Sequence, residues 1–393
     1  MLVVHNRYRS GAPGGEDVLV DAECRLLESA GHEVVRYERS NDEVDAGKLS
    51  HLVSTASQIR RSSRTEQELR RLVSRCQPDI AHCHNLFPLI TSSAFDVLSE
   101  AKIPAVQTLH NYRLTCASAI HYRNGRECRA CTAKNTIPAL FHGCYGNSRL
   151  ASAAVAAMIW SNHRDGTTRQ KVSRYLVLTE FAKNWLASQG ISQSLITVRP
   201  NWVDVPNRSN RLPSDYVVFS GRLSEEKGLR VLVSAWEHLR HVPLKIVGDG
   251  PLRAELESQA RQAALPIEFL GSLTRERALE VVAAAKALVL PSLWYEGMPL
   301  VILEAWALGT PVIASRIGGL AEMIGKDSRG LLFEPGDSVA LATAVNRLLS
   351  DQQSVDSMVA EARLQYLRRH TPAEGLKQLI ANYEACLLRS SRS

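Results

Sequence analysis

The chain has 393 residues, 45% of them hydrophobic and 22% charged, with a formal net charge of +7. This length predicts two domains of about 180–200 residues each, and the composition is that of a globular protein rather than a disordered one. The mild positive charge favours phosphate-bearing partners, and we expect no nucleic acid. No run reaches the ~18 apolar residues of a membrane span. The opening MLVVHNRY does not resemble a signal peptide, which predicts a cytoplasmic location.

Strands and helices alternate through the first half of the sequence. A buried strand at MLVVHN is followed by a glycine-bearing loop, RYRSGAPGGED. A helical period then ends near Gly31, and a second strand, HEVVRY, follows. Further strands are predicted at 79–84, 103–110, 175–180 and 194–203, and a basic helix at 57–76. This β–α–β order predicts a parallel sheet.

A polar stretch at 207–215 separates this half from a second series of β–α units. The strands of the second series are predicted at 216–222, 244–250, 266–271, 287–292 and 310–315. The predicted fold class is therefore α/β, with two consecutive domains facing across a cleft. Ligands of such sheets bind beyond the carboxyl ends of the strands, so the loops at those ends are the candidates for a site.

The segment YEGMPLVILEAWALGTPVIAS places two carboxylates around the start of a helix. Pro299 suits the first helical turn and Gly309 the residue after the end, which predicts a helix over 299–308. Free N–H groups at this start can hold a phosphate. Glu304 can accept hydrogen bonds from ribose hydroxyls, and Glu296 can bind the hydroxyls of a sugar. A nucleotide-sugar fits this arrangement, and the alternative is an ordinary solvated helix face.

Two other loops at strand ends carry features of a phosphate site. SGRLSEEKG supplies Arg222 and Lys227, two cations beside a helix entrance, which suit a diphosphate. VGDGP forms a tight glycine turn that lets a ligand approach the backbone. Each loop alone is most often an ordinary surface loop. Three such loops in this order, each after a strand, favour the nucleotide-sugar interpretation.

These motifs together resemble the retaining glycosyltransferases of family four. The resemblance rests on SGRLSEEKG, VGDGP, FLG and EGMPLVILEA in the second half, and on GAPGGED, DIAHCHNLFP and LHNYR in the first. It covers essentially the whole chain and implies the GT-B fold of two Rossmann-like domains. The implied acceptor-binding domain is 1–205, joined by a C-terminal helix at 373–393, and the implied nucleotide-sugar donor domain is 206–372.

Carried over by position, the resemblance implies a role for each motif. Arg222 and Lys227 would bind the donor diphosphate and steady the leaving nucleotide, Glu304 would hold the ribose, and Glu296 would hold the donor sugar. His110 would lie near the reacting carbon, although a histidine that ends an apolar strand is as often a hydrogen-bonded core residue. The further donor-binding residues implied are Gly14, Gly15, Gly221, Gly250, Leu270, Gly297, Met298 and Leu300.

The implied activity is the retaining transfer of a hexose from a UDP- or GDP-type sugar. The acceptor would be a saccharide, a lipid-linked molecule or a small molecule, in the synthesis of a polysaccharide or glycoconjugate. No catalytic metal is expected, because cations and helix dipoles stabilise the departing diphosphate, and the leaving phosphate helps to deprotonate the acceptor in a front-face attack. The alternatives are a sugar-nucleotide epimerase on the same fold and a non-catalytic subunit that binds a nucleotide-sugar.

A cysteine-rich insert, 113–147, follows His110. Its four cysteines are Cys116, Cys128, Cys131 and Cys144, with the spacing C-x11-C-x2-C-x12-C. One CxxC pair with two outlying cysteines suits a closed structural Zn²⁺ site. The alternatives are reduced thiols in an ordinary loop and a disulfide or redox use. We expect the insert to belong to the acceptor side.

The helix predicted at 57–76 is rich in arginine. Its arginines are Arg60, Arg61, Arg64, Arg70, Arg71 and Arg75. Such a helix could lie on the inner face of an anionic membrane, where lipid-linked acceptors are found. The alternative is a solvated helix, since glutamates interrupt the basic residues.

Overall fold

The computed structural model describes residues 1–10, 14–44, 59–206 and 214–390. The chain forms two compact units. Unit 1 contains Met1–His121, Cys128–Pro200 and the segment from Gly375 onward, and unit 2 contains Tyr122–Glu127 and Asn201–Glu374. The sequence analysis expected the divisions at 205 and 373. Most of the predicted linker at 207–215 lies outside the described residues.

Unit 1 is built on a parallel sheet of six strands. The strands of this half of the chain are β1 (Leu2–Arg7), β2 (Val35–Ser40), β3 (Ala81–Cys83), β4 (Ala105–Leu109), the short hairpin β5 (Tyr122–Arg123) and β6 (Arg126–Glu127), β7 (Arg174–Val177) and β8 (Ile196–Val198). The sheet order is β2-β1-β3-β4-β7-β8. Most residues of β1, β3, β4 and β7 are buried, because the sheet is covered on both faces, whereas the edge strand β2 is mainly polar and half-buried. The hairpin belongs to unit 2 rather than to the acceptor side expected for the insert.

Helices follow the strands of unit 1 and cover its sheet. They are α1 (Gly15–Ser29), α2 (Ser63–Cys76), α3 (Ser93–Glu100), α4 (Ile137–His142), α5 (Arg149–Arg164), α6 (Thr167–Gln170) and α7 (Glu180–Ser188). Local sequence sets several starts: the Ser62 hydroxyl accepts from the N–H of Thr65 at α2, and Ser148 caps α5 through the N–H of Ala151. The basic helix predicted over 57–76 begins at Ser63, and its first two predicted residues lie outside the described ranges.

Unit 2 has the strand order of a Rossmann sheet. Its six parallel strands are β9 (Val217–Ser220), β10 (Leu244–Val247), β11 (Ile267–Gly271), β12 (Ala287–Leu290), β13 (Val312–Ser315) and β14 (Leu331–Phe333), in the order β11-β10-β9-β12-β13-β14. The first strand of the unit therefore lies between the second and the fourth, which reverses the direction of winding at β9 and β12. Two parallel sheets in consecutive units confirm the predicted α/β fold class.

The helices of unit 2 pack a large apolar core against this sheet. They are α8 (Leu229–Trp236), α9 (Arg253–Gln262), α10 (Arg275–Ala284), α11 (Leu300–Leu308), α12 (Gly318–Ile324), α13 (Ser338–Ser350) and α14 (Gln352–Arg369). Trp236 is fully buried in the core, and its indole N–H donates to the carbonyl of Val242 at 2.7 Å. Among the described residues, no helix combines the length and apolar character needed to cross a membrane.

The last helix, α15 (Pro372–Ser390), returns to unit 1 from Gly375 onward. Leu379, Tyr383 and Cys386 pack with buried side chains of α1 and of the sheet. The Tyr383 hydroxyl lies 2.7 Å from Nδ1 of the buried His82, so this contact includes a polar bond as well as apolar packing. These contacts hold the C-terminal helix against the sheet and α1 of unit 1.

Candidate functional site

The direction of winding in unit 2 reverses between β9 and β12, and the loops that leave these two strands meet there. The N–H of Leu293, after β12, donates to the carbonyl of Glu226, after β9, at 2.8 Å. Gly228 allows this approach: its φ is +72°, and a Cβ there would lie 1.8 Å from the carbonyl oxygen of Pro291. Only glycine fits such a position. A crevice at this switch point is where open α/β sheets bind ligands.

Lys227 and Glu296 form an ion pair in this crevice. Nζ of Lys227 lies 2.7 Å from Oε1 of Glu296, and the Ser292 hydroxyl donates to the same oxygen at 2.7 Å. The ammonium also lies 5.1 Å from the centre of the Trp294 ring. The Glu296 side chain is 6% exposed and that of Lys227 is 21% exposed, so the cation retains access to solvent. The structure thus brings together two predicted site residues that lie far apart in sequence.

The helix after this pair begins at Leu300, one residue later than predicted. Pro299 precedes it with extended backbone, and no side chain caps the helix. The helix ends at Gly309 with a φ of +74°, as its sequence predicts. Gly297 and Met298 complete the loop between Glu296 and Pro299. An uncapped helix start beside Lys227 concentrates positive potential at one place.

Glu304 lies on α11 and faces a cation. Nε of Arg275 is 3.4 Å from Oε1 of Glu304, and Arg275 also donates to the carbonyl of Asp204 at 2.7 Å. Burial raises the pKa of Glu304, and the nearby guanidinium of Arg275 opposes that rise. A ribose bound at Glu304 would therefore compete with Arg275 for the carboxylate oxygens.

The two remaining donor loops of unit 2 pack on each other. A Cβ at Gly250 would lie 2.5 Å from the carbonyl oxygen of Leu223, so the VGDGP turn fits against the SGR loop only as glycine. The side chain of Arg222 is exposed and has no hydrogen-bond or ion-pair partner among the residues that the structure describes. Gly221 precedes it at the end of β9. Leu270 is half-buried near the end of β11.

Unit 1 has its own switch point, between β1 and β3. His5 at β1 bonds to Asp17 on α1, with 2.8 Å between Nε2 and Oδ1. The amide of Gly14, just before α1, donates to the other oxygen of Asp17 at 3.1 Å. Gly15 is the exposed first residue of that helix. A Cβ at Gly14 would lie 2.8 Å from the ring of Tyr8, which accounts for the first of the two adjacent glycines.

His110 directly follows β4 and pairs with another histidine. Its Nε2 lies 3.1 Å from Nδ1 of His84, and the two rings stack with centroids 5.4 Å apart. Burial lowers the pKa of His110 to about 3, so the ring is neutral at physiological pH. A neutral imidazole can donate or accept a hydrogen bond but supplies no positive charge.

His110 and His84 also line a cavity that lies entirely in unit 1. The cavity is open to solvent on one side, measures about 660 Å³ with that open space included, and is lined in addition by Glu16, Asn85, Phe87 and Asn111, among others. Burial raises the pKa of Glu16 to about 7. Neutral hydrogen-bonding groups outnumber the charged ones on the cavity wall, which suits a polar, uncharged ligand.

Several residues of these sites were missed by sequence reasoning. Asn201, directly after Pro200, donates from Nδ2 to the carbonyl of Met298 at 3.1 Å. Ser292 and Arg275 contact the two predicted carboxylates. The only local signal was that Ser292 follows a strand. The partners of Asn201 and Arg275 are set by the fold, since they lie far away in sequence.

The four cysteines of the insert are all free thiols. The charges of Cys116, Cys128 and Cys144 each act to raise the pKa of Cys131, so the four lie in one region. They do not form a group of three sulfurs within 4.8 Å among the described residues. The sulfurs of a tetrahedral zinc site with bonds of ~2.3 Å would be closer than that. The observed arrangement is therefore not a preformed zinc site.

Only one group of three potential metal ligands occurs among the described residues, namely Glu23, His82 and His84. All three are buried, and Glu23 already bonds to Arg199 with 3.0 Å between its Oε2 and Nη1. Both ring nitrogens of His82 have hydroxyl partners, Tyr383 and Thr108, at 2.7 Å. A cation in this place would face a guanidinium, so the group is a structural network.

Comparison with known proteins gives the family. A model described as Glycosyltransferase Family 4 matches residues 13–206, and one described as Glycosyl transferases group 1 matches residues 214–351. A 2-deoxystreptamine glucosyltransferase of Streptomyces kanamyceticus is 34% identical over 201 residues, covering 45% of this chain and 51% of that protein. A putative teichuronic acid biosynthesis glycosyltransferase, TuaC of Bacillus subtilis, is 28% identical over 279 residues, covering 70% and 62%. The chain thus spans less than two thirds of either relative.

Solved structures share the fold at low identity. Sucrose-phosphate synthase from Thermosynechococcus elongatus superposes with a TM-score of 0.71 at 19% identity, over 98% of each chain. HepE of Anabaena in complex with UDP-glucose superposes with a TM-score of 0.64 at 18% identity, over 98% of this chain and 100% of that one. With the family matches running through both halves, these findings confirm the resemblance seen in the sequence. The chain belongs to the family 4 type of glycosyltransferases, with two Rossmann-like domains of the GT-B class.

Proposed function

We propose that this chain is a retaining hexosyltransferase. In this proposal it moves a sugar from a UDP- or GDP-type donor to a saccharide, a lipid-linked molecule or a small molecule in glycan or glycoconjugate synthesis. The observation that carries the proposal is the Lys227–Glu296 pair, 2.7 Å apart, at the switch point of unit 2. A cation and a carboxylate at one helix start match the two halves of a sugar phosphate, since the cation suits the phosphate and the carboxylate suits the hydroxyls.

The donor diphosphate is proposed to bind at the start of α11. The positive groups proposed to meet it are the N–H groups of the first turn, the ammonium of Lys227 and the exposed guanidinium of Arg222, which would extend from the loop after β9. A phosphate that approaches this place gains charge-assisted hydrogen bonds. The same groups stabilise the charge that builds up on the leaving diphosphate as the sugar–phosphate bond breaks, which accelerates transfer. We propose no catalytic metal, because these groups supply the required positive charge.

Glu296 and Glu304 are proposed to hold the two sugars of the donor. Glu296 already accepts hydrogen bonds from Lys227 and Ser292, and its second oxygen can accept from hydroxyls of the transferred sugar. Glu304 would accept from the ribose once Arg275 yields part of its contact. The name of the relative from Streptomyces kanamyceticus and the UDP-glucose complex of HepE support a nucleotide-bound hexose as the donor.

The acceptor is proposed to bind in the cavity of unit 1. The residues that line it, with neutral His110 and His84 beside hydroxyl and amide groups, offer hydrogen bonds to a polyhydroxylated molecule. In a front-face mechanism the leaving phosphate oxygen takes the proton of the attacking hydroxyl, and His110 orients a donor hydroxyl near the reacting carbon. The protein is proposed to act in the cytoplasm, where nucleotide-sugars are available to it.

Thermal-shift measurements test the donor site. A ligand that binds only the native state raises Tm by mass action. We expect a shift with one of UDP, GDP, TDP or ADP, or with its sugar, that is lost in Glu304→Ala and in Arg222→Ala. A radiolabelled donor then tests transfer itself. Binding without turnover with any acceptor mixture would favour the non-catalytic subunit, and no shift with any nucleotide would remove the donor-site assignment.

A further inference from the structure

The segment from Cys128 to Arg164 contains no aspartate or glutamate. Its basic residues are Arg129, Lys134, Arg149 and Arg164, and all four are exposed. Within the described part of the chain, the last three have no carboxylate partner. This segment therefore presents three cations without a bonded carboxylate, one of which, Arg164, lies over the Trp160 ring at 5.0 Å from its centre. It contains helices α4 and α5.

The same two helices expose large apolar side chains. On α4, Ile137 is 61% exposed and Phe141, one turn later, is 65% exposed. On α5, Leu150 is 69% exposed and Trp160 is 43% exposed. Leu150, Ala157, Trp160 and Arg164 recur at helical spacing, so they form one outward stripe. Single exposed apolar residues are common on protein surfaces, whereas several on neighbouring helices, rimmed by polar residues, indicate an interaction site.

The opposite sides of these helices hold them firmly in place. Ala139, Val155 and Ile159 pack in one buried cluster. The Thr136 hydroxyl donates to the carbonyl of Ala156 at 3.0 Å, which ties the start of α4 to α5. The helices thus already have a buried face, and the outward residues form a second apolar face. We call this outward face, with Ile137, Phe141, Leu150, Trp160 and the three unpaired cations, the α4–α5 surface.

Helix α2, which the sequence analysis considered for a membrane contact, differs from this surface. Arg64 and Arg70 on this helix are paired with Glu68 and Glu100, each at 2.8 Å, and Arg61 just before it is paired with Glu66. Arg71 and Arg75 are exposed and have no carboxylate partner in the part of the chain that the structure describes. Helix α2 therefore keeps part of its positive charge, but it has no large exposed apolar side chain beside that charge.

We propose that the α4–α5 surface docks the protein on an anionic lipid membrane. Exposed Phe, Trp, Leu and Ile beside unpaired Lys and Arg match the boundary between lipid headgroups and acyl chains, where apolar tips insert and cations meet phosphate. A second copy of this chain is a poor occupant, because a symmetric dimer would place the same positive charges against each other. The proposal goes beyond the transfer reaction, since it concerns where on the protein a lipid surface binds.

Co-sedimentation with vesicles tests the proposal on the full chain. We expect binding to vesicles of phosphatidylcholine mixed with phosphatidylglycerol, weak binding to phosphatidylcholine alone, and loss of binding as salt rises. The combined variant Phe141→Ser and Trp160→Ser should bind at least tenfold more weakly. Arg149→Ser with Arg164→Ser should lose the preference for phosphatidylglycerol. Val339→Ser removes an apolar side chain that is 58% exposed in unit 2 and is the control for the Phe141 and Trp160 variant. Arg64→Ser is the control for the arginine variant. Vesicle binding should be unchanged in both controls.

Three results would overturn the proposal. The first is no binding of the unmodified chain to phosphatidylglycerol vesicles, and the second is equal binding of the Phe141 and Trp160 variant. The third is a change in oligomeric mass of that variant without a change in vesicle binding, which would assign the surface to a second copy. Thermal unfolding of each variant checks that it is folded. The Tm shift with nucleotide should be unchanged in these variants, so a failure of membrane docking is separable from a failure of the donor site.

Discussion

Asn201 holds the loop that precedes α11 through the backbone of Met298. Its Nδ2 donates to the Met298 carbonyl at 3.1 Å, and its own N–H donates to the Met298 sulfur at 3.2 Å. The carbonyl of Asn201 in turn lies 2.8 Å from Nδ1 of His370. Met298 sits two residues after Glu296, so Asn201 fixes the backbone between the paired carboxylate and the helix start.

We expect Asn201→Ala to weaken donor binding more than it slows transfer. Loss of a buried hydrogen bond costs ~1–3 kcal/mol, which corresponds to a rise of roughly 5- to 150-fold in the donor KM. Steady-state kinetics with varied donor would separate KM from kcat. Asn382→Ala is the matched control: Asn382 is also buried and donates to a backbone carbonyl at 2.7 Å, but in unit 1. An equal change of KM in both variants would show a general loss of stability rather than a positioning role.

The Lys227–Glu296 pair gives the second prediction. Lys227→Met removes the cation proposed to bind the leaving diphosphate, and we expect kcat/KM to fall by about 100-fold or more, as for loss of one preorganised charge. The nucleotide Tm shift should shrink in parallel. The measurement is transfer of a radiolabelled sugar at fixed acceptor.

Lys245→Met is the matched control for this change. Lys245 also lies over an aromatic ring, 4.5 Å from the centre of Tyr216, and near a carboxylate, 3.4 Å from Glu268. It lies on β10, away from the two loops of the switch point. If Lys245→Met lowered activity as much as Lys227→Met, the cation at the switch point would have no special role in the reaction.

The positions of the donor loops could be predicted from sequence, whereas the pairing of their side chains could not. SGRLSEEKG and EGMPLVILEA each follow an apolar strand, and parallel sheets bring such ends to one edge. That Lys227 would bond to Glu296 depends on Gly228 lying against the Pro291 carbonyl, a contact between segments far apart in sequence. The contact of Asn201 with Met298 could not be predicted for the same reason. The bond between Arg70 of α2 and Glu100 could not be predicted either, because Glu100 lies on another helix.

Acid stability gives the third prediction. Burial lowers the pKa of His110 to about 3 from an ordinary value of 6.5. Between these values the unfolded chain binds a proton at this ring and the native chain does not, so native stability falls as pH drops from 6.5 toward 3. Between about pH 7 and pH 4, we expect the free energy of unfolding of His110→Asn to fall by about 3 kcal/mol less than that of the unmodified chain.

Urea unfolding at the two pH values measures this difference. His82, whose pKa burial lowers to about 4, still contributes in the variant, so the pH dependence should shrink without vanishing. His32→Asn changes an exposed histidine and is the control. An identical pH dependence in His110→Asn and the unmodified chain would mean that the ring takes up its proton in the native state as readily as in the unfolded one.

Metal content of the insert gives the fourth prediction. We propose that zinc draws Cys116, Cys128, Cys131 and Cys144 together from their observed spacing, and we expect about one zinc per chain in protein purified without chelators.

Cys131 is buried among apolar side chains, so Cys131→Ser lowers Tm with or without metal. Cys128 is only half-buried. If zinc is bound, the Tm of Cys128→Ser should be lower than that of the unmodified chain, and chelator should lower the Tm of the unmodified chain. Loss of packing alone would not produce the effect of chelator. Cys76→Ser is the control outside the insert. The prediction is wrong if the purified chain contains no zinc and its Tm is the same with and without chelator. The four cysteines would then be reduced thiols that pack the insert.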